Sequence, residues 1–485
     1  MMDIKLEKMY GLFINGEFVP AQSGRTFKTC NPATGEVLAQ IAMASADDVD
    51  CAVKAAWAAF SSWKKTTARE RSEIMWKIAD IVEENLEYFS TIETLDNGKT
   101  LEEARADITD VVDQFRYFAG CIRTDEGSYV EQDNHGFNII RKEPLGVVAQ
   151  IVPWNYPLSM AGWKMAPALA AGNCIVIKPA SNTPLSLLEF ARLAGKELPN
   201  GVLNVVTGSG HDCGEALTAH PGIRKVAFTG STDVGTGVGE TAGKNMIPFT
   251  LELGGKSAHI IFPDCQWDRA LNAVKGGILG CAGQICSAGS RLFVHKDIYD
   301  KFVEELADCF AKVRVGNGLE SGIEMGPLVD ERQMETVLKY IDIGIKEGAR
   351  LVTGGRRITE KFYNEGFFIE PTLFADVTNH MRIAQEEIFG PVLSAIPFTS
   401  EKEVIEMAND SPYGLAGGVW TQDINRGIRV VSQIDAGLMW LNTFDMYPAG
   451  TPFGGYKKSG FGREAHKMTM EEYFQVKTIY VSIEE

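Results

Sequence analysis

Val147-Val148-Ala149-Gln150-Ile151-Val152 runs directly into Pro153-Trp154-Asn155-Tyr156-Pro157. An almost unbroken apolar run that stops at a proline-bounded turn has the pattern of a strand buried on both faces. Three similar runs follow, at Cys174 to Ile177, Val202 to Val206 and Lys225 to Phe228, with helical stretches between them. One such stretch is Pro184 to Lys196, where Thr183 is placed to cap and Pro184 suits the first turn. Strand, loop and helix in repeated order predict an open α/β sheet, whose ligands sit beyond the carboxyl ends of its strands. The loops after Val152, Ile177 and Phe228 are therefore the places to look for chemistry.

Before this region, apolar residues at Ile74, Ile78, Ile81, Val82, Leu86 and Phe89 predict a helix over Glu70 to Asn97, stopping at Asn97-Gly98, where glycine accepts a left-handed cap. After it, a second α/β region extends from about Gly254 to Pro448. Ile479, Val481 and Ile483 alternate with Tyr480 and Ser482 as a half-buried strand does, and Gly136 to Arg141 reads the same way. Neither has an obvious local partner, so pairing between subunits and ordinary sheet edges both stand open.

The 485 residues are 45% hydrophobic and 23% charged, an ordinary globular balance with length for two or three domains. Forty-seven Lys and Arg face 64 Asp and Glu; a net charge of −17 argues against nucleic acid as a partner. The N-terminal MMDIKLEKMYGLF has no apolar signal core, and no stretch approaches the roughly 20 apolar residues of a membrane helix, so a cytoplasmic protein is expected. Nine cysteines, an odd number without CxxC or zinc-like Cys/His spacing, fit a reducing compartment and no metal. Cys30, Cys51, Cys121, Cys213 and Cys309 read as small buried or half-buried hydrophobes.

The loops carry the chemistry. In the first, Asn155 holds a side-chain amide at a strand end. The second, Lys178-Pro179-Ala180-Ser181, presents an ammonium and a hydroxyl where a ribose or phosphate fits. The third, Phe228-Thr229-Gly230-Ser231-Thr232-Asp233-Val234-Gly235, opens a helix whose amides favour phosphate. Leu251-Glu252-Leu253-Gly254-Gly255-Lys256 sets a carboxylate in apolar surroundings, where a raised pKa suits a general base. Gly283-Gln284-Ile285-Cys286-Ser287-Ala288-Gly289-Ser290-Arg291 places a cysteine in a small-residue loop, read as opening a helix that favours thiolate.

Taken in this order, these segments resemble the aldehyde dehydrogenase superfamily over nearly the whole chain, from Leu12 to Ile483. The most specific matches are Glu252 to Lys256 and the GQIC run ending at Cys286. Glu386-Glu387-Ile388-Phe389-Gly390-Pro391-Val392 and Pro452-Phe453-Gly454-Gly455-Tyr456-Lys457 follow in family order. The resemblance implies an α/β fold with a Rossmann-like nucleotide-binding domain (1–121 and 145–253) and an α/β catalytic domain (254–457). It also implies a small β oligomerisation arm with a C-terminal segment (122–144 and 458–485), in a homodimer or homotetramer.

It further implies oxidation of an aldehyde to a carboxylic acid with NAD or NADP. Cys286 would be the nucleophile, Asn155 an oxyanion donor and Glu252 the base for thioester hydrolysis, with Lys178 in cofactor contact and Glu464 in proton relay. Cofactor contacts are expected from Val152, Trp154, Lys178, Ser181, Gly230, Ser231, Glu387 and Phe389. Tyr156, Trp163, Tyr447 and Phe453 match substrate-tunnel positions, and Gly280, where relatives often carry a bulky aromatic, implies a wide inner tunnel. Asp107 and Asp110 fall on the segment lining its mouth; Asp110, with Tyr156 and Trp163 as cation-binding faces, points toward an aminoaldehyde. Ser181 stands where NAD-preferring relatives commonly have glutamate, so NADP is expected to serve at least as well as NAD. The rival readings are a catalytically silent nucleotide-binding or structural protein on the same fold, and a cofactor-free thiol esterase.

Overall fold

The computed structural model describes residues 4–133 and 135–483; the expected domain limits at 1 and 485 lie outside them. The four apolar runs form strands Val147–Ile151, Cys174–Lys178, Leu203–Val205 and Lys225–Thr229, joined by Phe249–Glu252. All five are parallel, in the spatial order third, second, first, fourth, fifth. The chain order therefore reverses beside Val147–Ile151, and such a switch point opens a crevice beyond the strand ends. Antiparallel strands close both edges of this eight-stranded sheet: the Leu12–Ile14 and Glu17–Val19 hairpin on one, Gly460–Phe461 on the other.

After Glu252 the chain crosses to a seven-stranded sheet that runs from Ala258–Ile261 to Leu438–Leu441 and is parallel except for Arg350–Thr353 at one edge. Each sheet has its own apolar core. The loop of Cys286 leads into strand Arg291–His295, which starts level with Ala258. The crossing at Gly254-Gly255 thus meets the Cys286 loop between the two layers.

Several expectations change. The helix expected over Glu70 to Asn97 is two helices, Ala68–Glu84 and Leu86–Asn97, broken at Asn85, whose side chain donates back to the Ile81 carbonyl. The expected stop holds, with Gly98 at φ 95°. Helix Leu185–Leu193 ends short of Lys196, and Thr183 does not cap it. The Asp96 carboxylate accepts the Leu185 N–H instead, while the Thr183 hydroxyl is buried without a partner among the described residues. The two strands without obvious partners pair with each other: Phe474–Ser482 runs antiparallel to Gly136–Pro144, which also pairs with Ser128–Asp133. Among the described residues of 458–485, Gly460–Phe461 pairs into the first sheet and Phe474–Ser482 with Gly136–Pro144. Cys30 and Cys51 are exposed rather than buried. No helix among the described residues is long and apolar enough to cross a membrane, and none of their His, Cys, Asp and Glu form a cluster suited to a metal.

Candidate active site

A cavity of about 530 Å³ lies between the layers. Its walls bring together Trp154, Asn155, Tyr156, Asp110, Trp163, Gly230, Ser231, Cys286, Glu387, Phe389, Tyr447 and Phe453 from the expected set. Val152, Lys178 and Ser181 do not line it; Lys178 ends its strand, and Val152 and Ser181 lie in the loops just beyond strand ends. Glu252 and Glu464 are buried behind its wall.

Asn155 is held in place before any ligand arrives. One N–H of its amide donates to the Gln284 carbonyl at 2.7 Å, which leaves the second N–H without a partner among the described residues. Gln284 is itself anchored, donating to the Cys281 carbonyl and accepting the Val329 N–H. Cys286 sits in a turn, not at a helix start, so a helix dipole does not assist its thiolate. Burial pushes its thiol up, and the Glu387 and Glu252 carboxylates nearby push it further. Both glycines that follow Glu252 have a steric reason. A Cβ at Gly254 would collide with the Glu387 carboxylate, and one at Gly255 with the Cys286 carbonyl. The Gly255 N–H also donates to Glu387 at 2.9 Å, fixing that carboxylate, whose burial raises it to about 7.

Glu252 ends strand Phe249–Glu252, where the sheet delivers it into the interior at 3% exposure. Neither carboxylate oxygen has a hydrogen-bond partner among the described residues. Burial, then the Glu464 charge, hold its proton affinity well above that of an ordinary carboxyl. Glu464 is ion-paired with Lys164, fully buried one residue after Trp163. Lys164 was not singled out from sequence because its partner is 300 residues away.

In the cavity wall, Trp163 packs edge-on against Phe453 and Tyr447. The Trp163 indole and the Ser159 hydroxyl both donate to Asp110 Oδ2 at 2.6 Å. Asp110 therefore orients the aromatic wall, and burial raises the proton affinity of its carboxyl. Asp107 turns to Lys99 instead, and the Lys99 ammonium covers one face of Tyr156, removing that face as a cation site. Asp445, also missed, lines the cavity and accepts from the Tyr447 hydroxyl at 2.6 Å, which in turn bonds Ser287. Only its place two residues before Tyr447 hinted at this. Gly280 does not line the cavity; Ile285, which a Cβ at 280 would touch, does, so no widening follows from that glycine.

The model of the aldehyde dehydrogenase family matches residues 18–479. The chain belongs to the aldehyde dehydrogenase family. DhaS of Bacillus subtilis (strain 168), named as an aldehyde dehydrogenase, is 46% identical over 478 residues, 98% of this chain and 96% of its own. A solved NAD+ complex of an aldehyde dehydrogenase from Bacillus cereus is 46% identical, with a TM-score of 0.97 and both chains covered in full (100%). A betaine aldehyde dehydrogenase from Staphylococcus aureus, in complex with NAD+, is 40% identical with a TM-score of 0.96, over 97% of this chain and 94% of that one. As an aldehyde dehydrogenase, the protein oxidises aldehydes with NAD(P).

The strand-end loops fit such a nucleotide. The cavity reaches Gly230 and Ser231, which open helix Thr232–Lys244 with its N-terminal amides facing that end. The Thr229 hydroxyl is buried without a partner among the described residues. The buried Lys178 ammonium donates to the Pro179 carbonyl and carries a proton affinity lowered by burial, which a phosphate or ribose oxygen would restore. Trp154 and Phe389 meet edge-on at 5.2 Å, with Phe389 held at φ 59°, and line the cavity with Glu387. Ser181 departs from expectation in one respect. Its hydroxyl donates to the Gly208 carbonyl at 2.8 Å, so its proton is already committed.

Proposed function

We propose that this aldehyde dehydrogenase works through a thioester on Cys286. Cys286 reacts as its thiolate, and Sγ bonds to the aldehyde carbon while the carbonyl electron pair moves to oxygen. The second amide N–H of Asn155 and the backbone N–H of Cys286 hold that oxygen. One such donor contributes about 2.7–4 kcal/mol to a transition state of this kind. NAD(P), when bound, would supply the two-electron oxidant as hydride acceptor. Glu387, Phe389, Trp154, Val152, Lys178, Ser181, Gly230 and Ser231 would hold it. Glu252 then removes a proton from water, whose oxygen bonds to the thioester carbon, and the C–S bond breaks to return Cys286 as thiolate. Glu464 and Lys164 carry the released proton away from Glu252. Aldehyde, water and NAD(P)+ give acid, NAD(P)H and a proton.

The observation that carries this reading is the buried Glu252 carboxylate: unpartnered among the described residues, raised in proton affinity, and near enough to Cys286 to raise the thiol. The mouth, with Asp110, Asp445, Trp163 and Tyr447, supports a cationic or polar aldehyde such as an aminoaldehyde. The absence of a carboxylate at Ser181 supports NADP as well as NAD. The exposed apolar side chains on the strands Ser128–Asp133, Gly136–Pro144 and Phe474–Ser482, among them Tyr129, Ile139 and Tyr480, support a homodimer or homotetramer. Cys286→Ala tests the central step. Aldehyde oxidation is expected to vanish while nucleotide binding persists, and appreciable turnover by this variant would remove Cys286 as nucleophile.

A further inference from the structure

The loop carrying Asn155 is gripped from a second segment, Asn97-Gly98-Lys99-Thr100, between helices Leu86–Asn97 and Leu101–Cys121. Asn97 Nδ2 donates to the Trp154 carbonyl at 2.8 Å, and Lys99 Nζ donates to the Asn155 carbonyl at 2.8 Å. The Lys99 side chain is wholly buried. Its ammonium is ion-paired with Asp107 and lies 4.1 Å from the Tyr156 ring centroid. An ammonium has three donors. Here they meet a carboxylate, a carbonyl and an aromatic face, and two of the three belong to the consecutive residues 155 and 156.

The same segment also reaches the nucleophile's loop. Glu103 closes a capping box with Thr100 through one carboxylate oxygen and accepts the Cys281 N–H at 2.8 Å with the other. The circuit closes through the Asn155 amide on Gln284 and Gln284 on Cys281. The segment is wedged in place: the Leu101 N–H donates to the Gly318 carbonyl, and a Cβ at Gly318 or Gly326 would strike the backbone of Lys99 or Gly98. Buried ion pairs are poor sources of stability, because an apolar side chain of similar volume often does as well. What this pair does that an apolar residue cannot is fix a backbone carbonyl and a ring beside it.

We infer that Lys99, with Asn97 beside it, is a positioning residue of the reaction: it holds the Asn155 amide where negative charge develops on the aldehyde oxygen, without touching substrate. The inference rests on the oxyanion role proposed for Asn155. The test is a mutant cycle on the full-length enzyme, combining Lys99→Met/Asp107→Asn, which removes both members of the ion pair, with Asn155→Ala.

With Asn155 present, kcat is expected to fall roughly 10- to 100-fold, a displaced donor costing less than a deleted one. The aldehyde KM and nucleotide Kd should stay within about threefold. In the Asn155→Ala background, the same two substitutions should change kcat by less than about twofold. A full additional loss in that background, or no loss with Asn155 present, overturns the inference. Should the pair fail to fold, Asn97→Ala enters the same cycle with the same expectations. An Asn155→Ala enzyme with normal kcat would instead refute the oxyanion role itself, and the positioning role with it.

Discussion

Replacing Gly255 with alanine presses a methyl group against the backbone of the nucleophile. A Cβ built at 255 stands 2.4 Å from the Cys286 carbonyl oxygen and 3.2 Å from Leu415 Cβ, where ordinary contact begins at 3.4 Å. The Cys286 peptide or the Gly254-Gly255 segment must therefore yield by about 1 Å. Neither is a flexible side-chain tip, and the Gly255 N–H is tied to Glu387. A misplacement of about 1 Å costs on the order of 100-fold in rate, about 2.7 kcal/mol of barrier. The overpacking strain on the fold, ~1–3 kcal/mol, is small beside a typical stability of ~5–15 kcal/mol. Gly255→Ala is thus expected to fold with a modestly lowered midpoint, bind nucleotide and lose about 100-fold in kcat. Steady-state kinetics at saturating aldehyde and nucleotide, with a denaturation curve for each protein, measure both quantities. Turnover within threefold of wild type would refute the reasoning, since the Cys286 backbone would then absorb the methyl group without consequence.

Ser181→Glu should lower the ratio of kcat/KM for NADP over NAD by at least about tenfold, because a carboxylate repels a 2′-phosphate; a wild type strongly selective for NAD would show that something else excludes the phosphate. Asp110→Leu should reduce kcat/KM for 4-aminobutanal more than for a neutral aldehyde of equal length, through a lost carboxyl and a released Trp163 indole; equal efficiency on both aldehydes, unaltered by the substitution, would exclude the aminoaldehyde reading.

Where the sequence was legible, local pattern and tertiary structure agree. The parallel strands announce themselves because burial on both faces leaves no polar alternation, and the ends of three of them place Asn155, Lys178 and Gly230 in adjacent loops. Gly98 stops its helix where expected for a local steric reason. The failures arise where distant groups override local preference. The break at Asn85 is hidden because the apolar stripe continues through it. Thr183 loses its capping role to Asp96, a carboxylate 89 positions from Leu185. The turn at Cys286 is imposed by a left-handed run at Cys281, Ala282 and Gly283, which no pattern of residue types there announces. Lys99 and Lys164 escaped notice because a lone lysine in a helical region reads as solvated until the partner that buries it is seen. Asp107 and Asp110 share a helix face, yet only the fold shows that one serves the Asn155 loop and the other the substrate wall.

The most direct test of catalysis through Cys286 and Glu252 is the intact mass of Glu252→Gln after a single turnover with aldehyde and nucleotide. Without its base, hydrolysis should stall after hydride transfer. The protein is then expected to carry the mass of one acyl group, located by peptide mapping on Cys286, with one equivalent of reduced nucleotide formed and little free acid. Release of acid at the wild-type rate with no adduct, or an acyl group on any other residue, would contradict it.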